Sequence, residues 1–145
     1  MGRKKKGYTR KRYESMKPGA GFHDSYVAIY ASMANSPAFI ALTGNQRELY
    51  RFCRSQLYTK RKPRDDFPDC EVFKPQEVFY MNWGIVKTIH LYKGPKTFRK
   101  DLKRLIELGF IACLFDGEKV GKKSVYTYSE KWWDFVGSEN KETGL

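Results

Sequence analysis

Apolar residues at Phe98, Leu102, Leu105 and Ile106 recur at the i, i+4, i+7, i+8 spacing of one buried helical face. The positions between them, Lys96, Arg99, Lys100, Lys103 and Arg104, are cationic. This pattern predicts a basic amphipathic helix starting at Pro95, where a missing N–H has no intrahelical partner to lose. Gly109 stands where a helix terminus takes a left-handed residue. Phe110 to Phe115 then runs apolar and partly aromatic, as a buried strand does.

The same patterning places the other elements. Tyr26 to Tyr30 reads as a short strand, and folded structure is expected from Phe22. Met33 to Leu42 is broken at Ser36-Pro37, giving a short helix or turn and a second apolar piece. Thr43 or Asn45 caps a helix over Gln46 to Tyr58, with Leu49, Phe52, Cys53 and Leu57 inward and Arg47, Arg51 and Arg54 outward. Thr59 to Glu77, with Pro63, Pro68 and Pro75, is a long irregular loop, mobile or functional. Val78 to Met81 is a short strand. Asn82 caps a helix over Trp83 to Leu91, with Val86 and Ile89 inward, and Tyr92-Lys93-Gly94 is a tight turn into the basic helix. After Phe115 a loop carrying Lys119, Lys122 and Lys123 leads to a strand over Ser124 to Tyr128, forming a β-hairpin. Ser129 to Phe135 is a short turn or helix whose Trp132 and Trp133 cover the core.

Charge changes the picture next. The chain of 145 residues has a formal net charge of +12, which favours an anionic partner. Residues 1–21 hold Arg3, Lys4, Lys5, Lys6, Arg10, Lys11, Arg12 and Lys17 against Glu14, a net +7. A like-charge block interrupted by Gly and Pro reads as a flexible arm that adds phosphate contacts, or as a solubilising tail. The domain organisation is therefore a basic tail at 1–21, a folded domain at 22–136 and a flexible C-terminus at 137–145. With 41% hydrophobic and 16% aromatic residues, the composition is that of a folded protein. No apolar run approaches the ~18 residues that span a bilayer, and no secretory signal is evident, so a cytoplasmic protein is expected. Cys53, Cys70 and Cys113 are scattered and odd in number, and read as reduced core residues, two of them on apolar faces.

Helix, tight turn with Gly, basic helix, strand, basic loop and strand make the order of a winged helix-turn-helix, an α+β fold. Such a basic helix fits the major groove of B-DNA. Arg99 is the first candidate for a base contact, since Arg pairs bidentately with guanine. Lys96 and Lys100 come next, Lys93 lies in the turn, and Lys103 and Arg104 suit phosphate. Thr97 donates to phosphate or to the helix start. Lys119, Lys122 and Lys123 of the wing meet phosphates, which supply affinity rather than sequence preference.

Catalysis finds little material. His23 and His90 are far apart, and no His-x-His pair or compact carboxylate group marks a site. Asp65, Asp66, Asp69 and Glu71 do not match a calcium-loop spacing, and Lys60 to Arg64 are ordinary partners for them. Neither metal nor cofactor is expected, and the chain is not expected to be an enzyme. An RNA- or single-strand-binding module is the alternative, with Tyr8, Tyr13, Tyr126 or Tyr128 stacking on bases. An interaction adaptor that reuses the fold is a further class.

Three stretches, SPAFIALTGNQRELYRFCRSQLY, KTFRKDLKRLIELGFI and VYTYSEKWW, resemble winged-helix proteins of Gram-positive conjugative elements, plasmids and phages, among them replication-initiator-like and conjugation accessory proteins. The shared pattern is a SPAF..LT lead-in and a TF...L..LIE.GFI helix and strand, spanning roughly Tyr26 to Trp133. The resemblance implies double-stranded DNA binding at an origin of transfer or replication, or at an operator. Other conjugation or replication proteins would be partners. A homodimer or multimer on DNA stays open, since no heptad is visible. The long charged loop and the basic tail depart from the plain pattern.

Overall fold

The helix predicted after Thr43 is secured at its first turn by a reciprocal cap. Thr43 Oγ1 accepts the Gln46 N–H at 3.2 Å, and Gln46 Oε1 accepts the Thr43 N–H at 2.9 Å. A computed structural model describes residues 26–58, 62–63 and 73–135. Within it the helices are α1 (Ala31–Ala34), α2 (Pro37–Ile40), α3 (Gly44–Ser55), α4 (Trp83–Val86) and α5 (Pro95–Glu107). The strands are β1 (Val78–Tyr80), β2 (Ile111–Phe115) and β3 (Val125–Tyr128). The described part is thus α+β. The tail at 1–21, most of the loop from Thr59 and the C-terminus at 137–145 lie outside the described residues.

The strands form one antiparallel sheet in the order β1-β3-β2. Phe79 stands opposite Tyr126, and Tyr126 opposite Cys113 on the other side. Period-two alternation splits β1 between two clusters. Phe79 joins the main core under α3 and α5, while Val78 and Tyr80 pack with Val125 and the partly buried Leu114 and Phe115. Phe79 stacks on Tyr126 at 5.9 Å and on Tyr128 at 4.9 Å between ring centres.

The main core lies where α3 and α5 meet this sheet. Leu49, Tyr50 and Cys53 of α3 and Phe98, Leu102 and Leu105 of α5 are buried in it. The end of α5 closes as a Schellman motif. The Phe110 N–H donates to Leu105 O at 3.0 Å and the Gly109 N–H to Ile106 O at 3.1 Å. Gly109 has φ +86°, and a Cβ there would lie 2.5 Å from the Lys131 carbonyl carbon and the Trp132 nitrogen. Glycine is required twice over, by handedness and by the C-terminal segment crossing it. That segment is a 3₁₀ turn, Lys131–Asp134, tied back by Trp132 N–H to Gly109 O at 3.1 Å.

Several expectations need correction. Tyr26 to Tyr30 is not a strand. Tyr30 is the N-cap residue of α1, its carbonyl accepting from Met33 and Ala34, and the sheet β1-β3-β2 does not include this segment. The helix after Asn82 is shorter than Trp83 to Leu91. Asn82 does cap it, accepting from Ile85 N–H at 2.9 Å, but α4 ends at Val86 and gives way to a 3₁₀ turn, Lys87–Ile89. The run Ile85, Val86, Thr88, Ile89 is β-branched, and the Thr88 hydroxyl takes the Ile85 carbonyl at 2.8 Å. His90 then adopts a left-handed conformation at φ 55°. Residues 87–94 therefore separate α4 from α5, a longer connection than the predicted three-residue turn. Ile89 and Trp133 are exposed rather than core, whereas Trp132 stacks on Phe110. Cys53 is buried and Cys113 exposed, both as free thiols, and burial pushes the Cys53 thiol well up.

Candidate nucleic-acid interface

α5 presents its cations because its apolar arc is fully used. Phe98, Leu102 and Leu105 face the core, and the intervening Lys96, Thr97, Arg99, Lys100 and Lys103 are exposed, with Lys93 exposed in the turn before them. Lys96, Arg99 or Lys100, and Lys103 share a helical stripe at i, i+3, i+4 and i+7. Arg104 is half-buried and pairs with Glu107 at 3.6 Å. A pair so exposed adds little stability, about 0–1 kcal/mol.

One polar residue interrupts the apolar arc and was not anticipated from the sequence. Asp101 is buried. Its Oδ1 accepts from Gln46 Nε2 at 3.1 Å and its Oδ2 from the Tyr92 hydroxyl at 2.7 Å. Gln46 is the residue whose Oε1 completes the cap of α3. The start of α3, the connection before α5 and the middle of α5 are thus joined through one carboxylate with neutral donors. Burial, reinforced by the Asp101 bond, pushes the Tyr92 hydroxyl far above its ordinary range. The signal in the sequence was Asp101 at i+3 from Phe98 and i−4 from Leu105, a polar residue on the buried side.

The loop after β2 is built rather than slack. The Gly117 N–H donates to the buried Ser124 Oγ at 3.0 Å, and the Lys122 N–H to Gly117 O at 2.9 Å. A Cβ on Gly117 would run into the Lys122 carbonyl. Asp116 Oδ1 accepts from the Glu118 N–H at 3.2 Å. Lys119, Lys122 and Lys123 are exposed along this loop, and the Lys123 ammonium lies 5.1 Å from the Tyr80 ring centre. The loop meets α5 in a side-chain contact. Arg99 Nε donates to Glu118 Oε1 at 3.1 Å, so the cationic side of α5 and the loop that carries these lysines touch at this point.

Of the residues singled out from sequence, Lys93, Lys96, Thr97, Arg99, Lys100, Lys103, Lys119, Lys122 and Lys123 are therefore exposed, and Arg104 partly so. Arg3, Lys4, Lys5, Lys6, Arg10, Lys11 and Arg12 lie outside the described residues. So do Tyr8, Tyr13, His23, Cys70 and the acidic residues from Asp65 to Glu71. His90 is exposed in the connection before α5. Tyr126 and Tyr128 pack on Phe79, and the Tyr128 hydroxyl donates to Cys53 O at 2.8 Å. Among the described residues no group of three His, Cys, Asp or Glu is arranged to hold a metal, and no helix is long and apolar enough to cross a membrane. No family model, curated protein or solved structure matches the chain.

Proposed function

We propose that this chain is a non-enzymatic, sequence-specific double-stranded DNA-binding protein of a mobile genetic element, with a winged-helix domain. It acts as an accessory factor at an origin of transfer or replication, or as a regulator. The observation that carries this reading is the exposed cationic stripe of α5, which touches the basic loop at the Arg99–Glu118 contact. A helix ~10–12 Å across fits a major groove ~12 Å wide. The order α3, β1, α4, α5, β2, loop, β3, with β3 central in the sheet, supports a winged helix whose recognition helix is α5 and whose wing is the loop after β2. Lys96, Arg99 and Lys100 lie toward the start of α5 and reach base edges; Lys103, Arg104 and the loop lysines suit phosphates. The basic residues of the tail add sequence-independent contacts.

Packing of Tyr126 and Tyr128 against Phe79 weakens the single-strand alternative at those two residues, because base stacking needs an open aromatic face. The mobile-element setting rests on the sequence resemblance. The test is a titration of the full chain on tiled duplexes from its own genetic neighbourhood, with random duplex and single strands as controls. One fragment should bind at least about a thousandfold tighter than random duplex. Equal binding to every duplex, or preference for single strands, would overturn the reading.

A further inference from the structure

A carboxylate beside a row of cations that would receive phosphates is the least expected group on this surface. Glu118 is exposed, and its side-chain contact is with Arg99, across 19 residues of sequence. Exposed ion pairs of this kind add little to stability, so stability does not account for it well. Its loop is also held in place. Gly117, Lys122, Ser124 and Asp116 close the base of the loop through hydrogen bonds, and Gly121 turns at φ +70°. Asp116, the loop's other acid, has a local task, accepting the Glu118 N–H.

We infer that Glu118 is a specificity-determining positioning residue. It holds Arg99 by its Nε edge, directs the guanidinium to a base rather than to a phosphate, and thereby fixes a guanine preference at one position of the DNA site. This rests on the duplex-DNA reading above. The physical basis is twofold. A guanidinium carries five donors in a rigid fork, so a bond at Nε restricts rotation and leaves the terminal nitrogens to define a bidentate pair. A carboxylate at 3.1 Å also offsets the charge of Arg99 and repels a phosphate that would compete for it. A guanine edge, with neutral acceptors O6 and N7, is not repelled in this way. Glu118 therefore gives up some non-specific affinity and gains discrimination.

The experiment is selection from a pool of duplexes with a randomised central segment, using the full-length wild type, Arg99→Ala, Glu118→Ala and Glu118→Gln. The wild type should enrich guanine at one position, and Arg99→Ala should lose that preference alone. Glu118→Ala should lower it about fivefold or more, at the same position and no other. Glu118→Gln, which keeps an acceptor at similar reach, should retain more of it. Both Glu118 variants should bind random duplex more tightly, since an anion has gone. Falling discrimination with rising random-duplex affinity is not what a folding defect produces. An unchanged guanine preference in Glu118→Ala, a loss spread over all positions, or no guanine dependent on Arg99 would overturn the inference and leave DNA binding standing. A wild type that enriches no sequence and shows no salt-dependent duplex binding would overturn both.

Discussion

The Tyr92 hydroxyl donates to Asp101 Oδ2 at 2.7 Å, so the connection that leads into α5 is bonded to the middle of that helix. Gln46 brings the start of α3 to the same carboxylate at 3.1 Å. An apolar contact lets a helix roll by small amounts, but two directed bonds on one carboxylate fix its rotation. The rotation of α5 decides which side chains face outward as a row.

Asp101→Ala should therefore cost about 2–4 kcal/mol, since two buried donors lose their acceptor. The gain in helix propensity from Ala is smaller, roughly 0.5 kcal/mol. Asp101→Asn, which keeps one good acceptor, should cost less than Ala. Urea denaturation of the three proteins checks this, and a change below about 0.5 kcal/mol for Ala would show that the carboxylate is dispensable.

Alkali should destabilise the protein from about pH 10 upward. Burial is the largest cause raising the hydroxyl of Tyr50 and that of Tyr126, each to about 12, and it raises Tyr92 and Tyr128 as well. Below the ordinary tyrosine value of about 10 these groups are protonated in both states and contribute no slope. Between about 10 and 12 the unfolded chain loses protons that the folded chain retains, so stability falls as pH rises. Thermal melts across that window, read beside tyrosinate absorbance, should show a first rise from exposed tyrosines such as Tyr26 and Tyr30 and a further rise that accompanies unfolding. Ionisation at about pH 10 of Tyr50, Tyr92, Tyr126 and Tyr128 in the folded protein, beyond what exposed tyrosines such as Tyr26 and Tyr30 supply, would contradict the burial described.

Arg99→Ala should leave stability within about 0.5 kcal/mol, because its ion pair is exposed. On the preferred duplex it should lose about 1–3 kcal/mol of binding, and less on random duplex. Equal losses on both would make Arg99 a phosphate contact.

What the sequence made legible follows from how local each feature is. Pro95, the arc Phe98–Leu102–Leu105 and Gly109 outline α5 because helix starts, faces and stops are decided within a few residues. Thr43 with Gln46 is likewise a short-range cap. The length of α4 was overestimated because apolar spacing gave no weight to the β-branched run or to the Thr88 hydroxyl. Tyr26 to Tyr30 has strand-like composition, yet strand identity depends on a partner, and the sheet β1-β3-β2 does not include this segment. Residue type alone points both tryptophans at the core, but Trp132 stacks on Phe110 while Trp133 is exposed. The Gln46–Asp101–Tyr92 junction and the Arg99–Glu118 contact join residues far apart in the chain, which no local pattern reveals.

The central claim is that the exposed row on α5 meets the phosphates and bases of a duplex. The most direct test is the salt dependence of duplex binding for the wild type and for Lys96→Gln/Lys100→Gln/Lys103→Gln, each first shown to melt at the same temperature. The slope of log K against log salt should become shallower by about 0.9 for every phosphate that the variant no longer neutralises, with binding weakened on all duplexes. An unchanged slope and affinity would mean that DNA, if bound, lies elsewhere on the protein, and the assignment of α5 would be wrong.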